Sequence, residues 1–97
     1  MRIISEARLR EFWQKYPQSE SPMREWIAVV RLADWQSFSD VRATFNHADV
    51  YGSCTIFDVG GNKYRIIAKI NYPKHIVFIR SVLTHPEYDR KKWQSDC

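Results

Sequence analysis

Residues that staple, kink or loop a chain are scarce here: 97 residues contain two cysteines, three glycines and four prolines. Each shortage removes a class of explanation. Two cysteines cannot build a disulfide framework. Cys54 falls in an expected strand and Cys97 is the last residue, so both are expected to be free thiols of a reducing compartment. Gly60-Gly61 joins two expected strands and no Gly-Lys-Ser/Thr follows, which excludes a phosphate-binding glycine loop. His47, His75 and His85 do not stand at metal-ligand spacing with either cysteine, and neither cysteine has a histidine beside it in sequence. No metal and no other cofactor is expected. No apolar run approaches transmembrane length, and the first fifteen residues alternate charge with apolar side chains, unlike a signal peptide. The expected setting is the cytoplasm, with no membrane partner.

What is present suffices for one core. Hydrophobic residues make up 44% and aromatics 14%, enough apolar material to fold without metal or disulfide staples. The length allows one domain spanning residues 1–97. Charge is uneven along it. Residues 1–50 carry seven Lys/Arg and seven Asp/Glu, whereas residues 51–97 carry eight against four, so the whole net charge of +4 lies in the second half. From Gly60 to Pro86 there are Lys63, Arg65, Lys69, Lys74 and Arg80 and no acid. Such a segment suits a polyanion or an acidic protein, or else a solvated face that keeps the chain soluble.

Periodicity places the elements. Arg2–Ile4 reads as a short strand. Leu9, Phe12, Trp13 and Tyr16 recur at helical spacing, with Ser5 as N-cap and Pro17 as terminator. Ser21-Pro22 opens a second helix whose stripe is Met23, Trp26, Ile27, Val30 and Ala33, read as packing rather than a nucleic-acid platform. Val41, Ala43 and Phe45 alternate with polar residues as in a strand, and Asn46–Asp49 as a turn. Cys54–Val59, the turn Gly60-Gly61-Asn62 and Lys63–Tyr72 form a β-hairpin. His75–Leu83 is a further strand, and a short helix over about Pro86–Trp93 ends the chain. The expected fold is α+β: two N-terminal helices on one face of a small, mainly antiparallel sheet, with a short C-terminal helix.

Alternate strand residues share a face, so Lys63, Arg65 and Lys69 form a cationic stripe at roughly 7 Å intervals opposite Tyr64, Ile66, Ala68 and Ile70. That spacing resembles the phosphates of a single strand, which a stripe can hold without reading sequence. The next strand adds Arg80 and runs into Thr84-His85-Pro86-Glu87-Tyr88-Asp89. Thr84 and Glu87 stand at capping-box spacing and Pro86 fits the first helical turn. A helix starting there would aim free N–H groups, an imidazole and a phenol at the cations. That set suits metal-free cleavage of an RNA phosphodiester: a base takes the 2′-hydroxyl proton, cations stabilise the transition state, and an acid protonates the leaving oxygen.

Two strings, F-D-V-G-G-N-K-Y-R-I-I-A from Phe57 to Ala68 and F-I-R-S-V-L-T-H-P-E-Y-D from Phe78 to Asp89, resemble the HigB toxins of type II toxin–antitoxin systems, within the RelE/ParE superfamily. The N-terminal R-I-I-S, the K-Y-P that ends the first helix, and the length are similar too. The resemblance implies a single RelE-like toxin domain. It further implies an mRNA interferase, an endoribonuclease acting on messenger RNA during translation on the ribosome. A HigA-type helix-turn-helix antitoxin would neutralise it, with a toxin–antitoxin heterotetramer as the assembly. On this resemblance Arg65 and Arg80 are expected at the phosphate and transition state. His85 is the expected base or acid, with Tyr88 its partner or a base-stacking group. Lys63, Lys69 and Lys74 are expected RNA contacts. The alternative is a toxin that only binds, either a gyrase inhibitor like ParE or an RNA-binding module.

Overall fold

A computed structural model describes residues 1–97. Five strands form one sheet in the order β1-β5-β4-β3-β2. They are β1 (Arg2–Ile4), β2 (Asp49–Tyr51), β3 (Cys54–Val59), β4 (Tyr64–Asn71) and β5 (Ile76–Thr84). All neighbours run antiparallel except β1, which lies parallel to β5. The α+β class and the predominantly antiparallel sheet are as expected. The β3–β4 turn is also as expected, with Gly60, Gly61 and Asn62 all at positive φ, the region that glycine enters without cost.

Three helices, not two, cover one sheet face: α1 (Ala7–Lys15), α2 (Glu20–Leu32) and α3 (Phe38–Thr44). The segment read as a strand through Val41, Ala43 and Phe45 is helical, because three alternating residues fit either period. Val41 is fully buried while Ala43 is exposed. Phe38, Val41 and Phe45 turn inward together at i, i+3 and i+7. The other long elements shift at their ends. Ser5 adopts positive φ and Glu6 takes the cap position of α1. Pro17–Ser19 form a 3₁₀ turn that runs into α2 at Glu20, ahead of the expected Ser21-Pro22 start.

The core between helices and sheet centres on Phe57 of β3, which is fully buried. Trp26, Phe45 and Trp35 surround its ring at centroid distances of 5.2, 5.4 and 6.0 Å, the first two edge-on. These geometries suit the ring quadrupoles. The Met1 ammonium donates to the carbonyls of Val30 (3.0 Å) and Ala33 (2.6 Å), placing positive charge at the carbonyl end of α2.

The opposite sheet face is not left to solvent, as the sequence pattern suggests, but is partly covered by the C-terminal segment. After α4 (His85–Asp89), Lys91 adopts a left-handed conformation and turns the chain into a 3₁₀ turn, Lys92–Asp96. The expected helix through Trp93 therefore stops at Asp89. Trp93 is buried with Cys54, Ile56 and Ile67 in a second, smaller apolar cluster. The cysteines are not free thiols: Cys54 and Cys97 form a disulfide, with Cα atoms 5.3 Å apart. No sequence spacing foretells this, because the terminus returns across the sheet only in the folded chain. In a chain-entropy account a cross-link of this loop length stabilises the fold by about 4 kcal/mol.

Phe57→Ala removes the ring on which three other aromatics pack. Urea titration of the variant should give a loss of about 3–5 kcal/mol in unfolding free energy with the slope retained.

Candidate functional site

The motif Thr84–Asp89 forms the helix start its sequence announces. The Thr84 N–H donates to Glu87 Oε1 (3.0 Å), and the Glu87 N–H donates to Thr84 Oγ1 (3.4 Å). Both halves of a capping box are present. Accepting the Thr84 amide is the main reason the Glu87 carboxyl is held below its ordinary pKa. The same bonds remove the expected anion site at the helix start. The His85 N–H donates to the Lys63 carbonyl (3.0 Å), Pro86 has no N–H, and the Glu87 N–H is taken by Thr84. What the cap delivers is side-chain placement.

One turn apart on α4, His85 Nδ1 lies 2.9 Å from Asp89 Oδ2. A carboxylate oxygen here accepts from Nδ1–H, an arrangement that points Nε2 away from the pair. The His85 amide also docks α4 on Lys63, bringing the imidazole to the start of β4. Asp89 was not among the expected site residues, although its spacing of four from His85 on a helix could have indicated it.

Arg65 lies much deeper than a phosphate contact would, with 7% of its surface exposed. Its guanidinium donates to the Asn62 side chain (2.6 Å) and to the carbonyls of Asn62 and Tyr64 (both 3.2 Å). It also pairs with Asp58 at 2.5 Å, the residue directly opposite it across β3 and β4. The guanidinium carbon sits 4.7 Å from the centroid of the Tyr88 ring, and Trp93 stacks on the same ring at 5.1 Å, nearly parallel. Tyr88 is thus held in contact with both a cation and an indole. Beyond Arg65, His47, Asp58, Gly61 and Asn62 line a polar concavity of about 470 Å³.

Arg80 occupies an irregular place in the sheet. Ile67 pairs with Ser81 and Ala68 with Ile79, so Arg80 is the extra residue of a β-bulge, a device that re-aims side chains. Its Nε and Nη2 donate to the two carboxylate oxygens of Asp96 at 2.7 and 2.9 Å. This forked pair raises the guanidinium pKa and lowers that of Asp96, in each case chiefly through the hydrogen bond. Lys69 Nζ is 3.9 Å from the same carboxylate.

The basic segment is therefore compensated from outside itself. Arg65 faces Asp58, Arg80 and Lys69 face Asp96, and His85 faces Asp89. Of the seven expected residues the fold gathers Lys63, Arg65, His85 and Tyr88 at one end of β4. Arg80 and Lys69 lie further along the same outer face, next to the C-terminal turn. Lys74 is not brought in: it sits in the exposed β4–β5 turn, about 25 Å from Lys63 by strand rise. No cluster of histidine, cysteine and carboxylate is arranged to hold a metal ion, and no helix is long and apolar enough to cross a membrane.

Comparison with known proteins adds a family. The HigB_toxin model, described as the RelE-like toxic component of a toxin–antitoxin system, matches residues 19–91. The mRNA interferase HigB of Escherichia coli O6:H1 is 31% identical over 93 residues, covering 93% of this chain and 90% of that protein. The mRNA interferase toxin HigB of E. coli K12 is 27% identical over 92 residues, covering 92% and 88%. An mRNA interferase HigB of Shigella flexneri matches to the same extent.

The capping box carries a pH signature. Because the folded Glu87 carboxyl is depressed, its stabilisation is present above the ordinary carboxyl pKa of about 4.3 and is lost as pH falls through the lower folded value. Urea titrations from pH 7 to pH 3 should show Glu87→Gln losing less stability on acidification than the parent. Thr84→Ala should cost about 1 kcal/mol at pH 7.

Proposed function

Because the chain belongs to the HigB family of RelE-like toxins, whose members are toxic components of toxin–antitoxin systems, we propose that it is a metal-independent endoribonuclease cutting messenger RNA. Relatives named mRNA interferase support the reading at the level of activity. The observation that carries it to residues is the His85–Asp89 pair, 2.9 Å apart on a helix fixed by its cap.

His85 Nε2 takes the proton of a ribose 2′-hydroxyl. The 2′-oxygen attacks the adjacent phosphorus, the bond from phosphorus to the 5′-oxygen breaks, and the leaving oxygen accepts a proton. The products are a 2′,3′-cyclic phosphate and a free 5′-hydroxyl. Asp89 holds the tautomer and stabilises the imidazolium as it forms, a positioning role. Tyr88, held by Arg65 and Trp93, offers its phenol to the leaving oxygen. Lys63, exposed beside α4, and Arg80 face the backbone phosphates. Arg65 acts chiefly by holding Tyr88 in place. Few exposed groups contribute, which suits a substrate positioned by the ribosome on which the message is read. The setting is the cytoplasm, and the partner is a HigA-type helix-turn-helix antitoxin in a heterotetramer.

Expression of the parent and of His85→Ala, Asp89→Asn and Tyr88→Ala, with 5′ ends of cellular mRNA mapped, tests this. His85→Ala should cut cleavage by about a hundredfold or more, and Asp89→Asn by at least about tenfold. Growth arrest by the parent with intact mRNA would sink the nuclease reading in favour of a binding toxin. Full toxicity in all three variants would sink the site.

A further inference from the structure

The C-terminal turn supplies both a carboxylate and a covalent tether at the basic face. Asp96 sits on Arg80 in a forked, two-bond arrangement, with Lys69 Nζ 3.9 Å from the same carboxylate. Forked pairing of this kind is how arginine binds carboxylate and phosphate alike. On either side of Asp96 the chain is fastened. Trp93, three residues before, is buried and its Nε1 donates to the Tyr88 carbonyl at 2.9 Å. Cys97, one residue after, is bonded to Cys54, and its carbonyl accepts from the N–H and Oγ of Ser53 at 3.0 and 3.1 Å. The β2–β3 turn is shaped to receive it: a Cβ on Gly52, at φ +56°, would collide with the Cys97 carbonyl oxygen. This tail lies outside residues 19–91, the part matched by the family model.

We propose that residues 94–97 are a redox-latched inhibitor of the chain's own phosphate-binding face: Asp96 occupies the place of an RNA phosphate on Arg80 and Lys69, held there by the Cys54–Cys97 disulfide. The proposal rests on the ribonuclease reading above and adds its regulation. A tethered carboxylate competes at a high effective concentration with any phosphate arriving from solution. Opening the disulfide leaves the four residues beyond Trp93 held only by the Ser53 hydrogen bonds to the Cys97 carbonyl and by the Asp96 ion pair, all of them exchangeable with solvent or a polyanion, and residues 94–97 swing away.

The opening step is thiol–disulfide exchange with a dithiol reductant. Its thiolate attacks the more accessible Cys97 sulfur and expels the buried Cys54 as thiolate. The second thiol of the reductant then resolves the mixed disulfide. The protein gains two electrons and two protons, and the reductant becomes a disulfide. An oxidised chain is thereby restrained, and a reduced one has Arg80 and Lys69 open to RNA.

Two measurements on the full chain decide it. The first is amide exchange at Ser53 and Cys97, in oxidised protein and after treatment with dithiothreitol. The second is the affinity of the same samples for a labelled single-stranded oligonucleotide with non-cleavable 2′-O-methyl sugars. Reduction should release both amides, tighten binding by about tenfold, and steepen its dependence on log salt by about one unit. Cys97→Ser should bind tightly with or without reductant, and Asp96→Asn should bind tightly while still disulfide-bonded. Amides that stay protected on reduction overturn the latch. Release without a change in affinity overturns the occlusion. If the amides are released but no form binds the oligonucleotide, Arg80 and Lys69 are not a phosphate-binding face and the occlusion is overturned, while the ribonuclease reading is decided separately by the mRNA 5′-end mapping.

Discussion

Burying the Arg65 guanidinium between the β3–β4 turn and the Tyr88 ring obliges the surroundings to satisfy it, because an unpaired charge there would cost several kcal/mol. Asp58, the Asn62 side chain and two backbone carbonyls do so. In meeting that demand they fix the glycine turn against β4. Through its flat face the same guanidinium holds Tyr88, which in turn stacks on Trp93. Turn, sheet, α4 and C-terminal tail thus meet at one cation. A lysine at this position would lack the planar fork that both hydrogen-bonds the turn and stacks on the phenol.

A consequence is that the molecule's positive charge is largely arranged rather than free. Carboxylates from three separate elements, β3, α4 and the terminal turn, each meet a basic or imidazole group on the outer side of the sheet. The pairs differ in character. The one at Arg65 is buried and structural. The one at His85 is the most exposed and orients the ring through Nδ1. The one at Arg80 is partly exposed and lies at the C-terminal turn. A polyanion meeting this face would exchange with the third pair far more readily than with the first, since the first cannot part without stranding a charge in an apolar setting.

Much of the fold was legible from local signals. The stripe of Leu9, Phe12 and Trp13, the Gly60-Gly61-Asn62 turn and the alternation in β4 each point to the element that forms, because both periodicity and turn chemistry act over a few residues. The split of β4 into an apolar face toward the helices and a polar face away from them also held. Misreadings arose where the signal was short or the decisive partner distant. Val41–Phe45 offered too few residues to separate two periods. On the outer face, nothing near Ile67 in sequence indicates that Trp93 covers it.

For the site, the sequence by itself determined the capped helix start and the placing of His85 and Tyr88 on it, since a capping box is written in four consecutive residues. It also contained the hairpin register that sets Asp58 opposite Arg65, because the turn fixes every cross-strand pair that follows it. Only the tertiary structure decided that Arg65 would be buried, that the Arg80 bulge would meet Asp96, and that Cys54 would bond Cys97. Those outcomes join Arg65 to Tyr88, Arg80 to Asp96 and Cys54 to Cys97, 23, 16 and 43 positions apart, and no local rule reaches that far. They follow from the terminal segment folding back over an apolar sheet face that would otherwise stand in water.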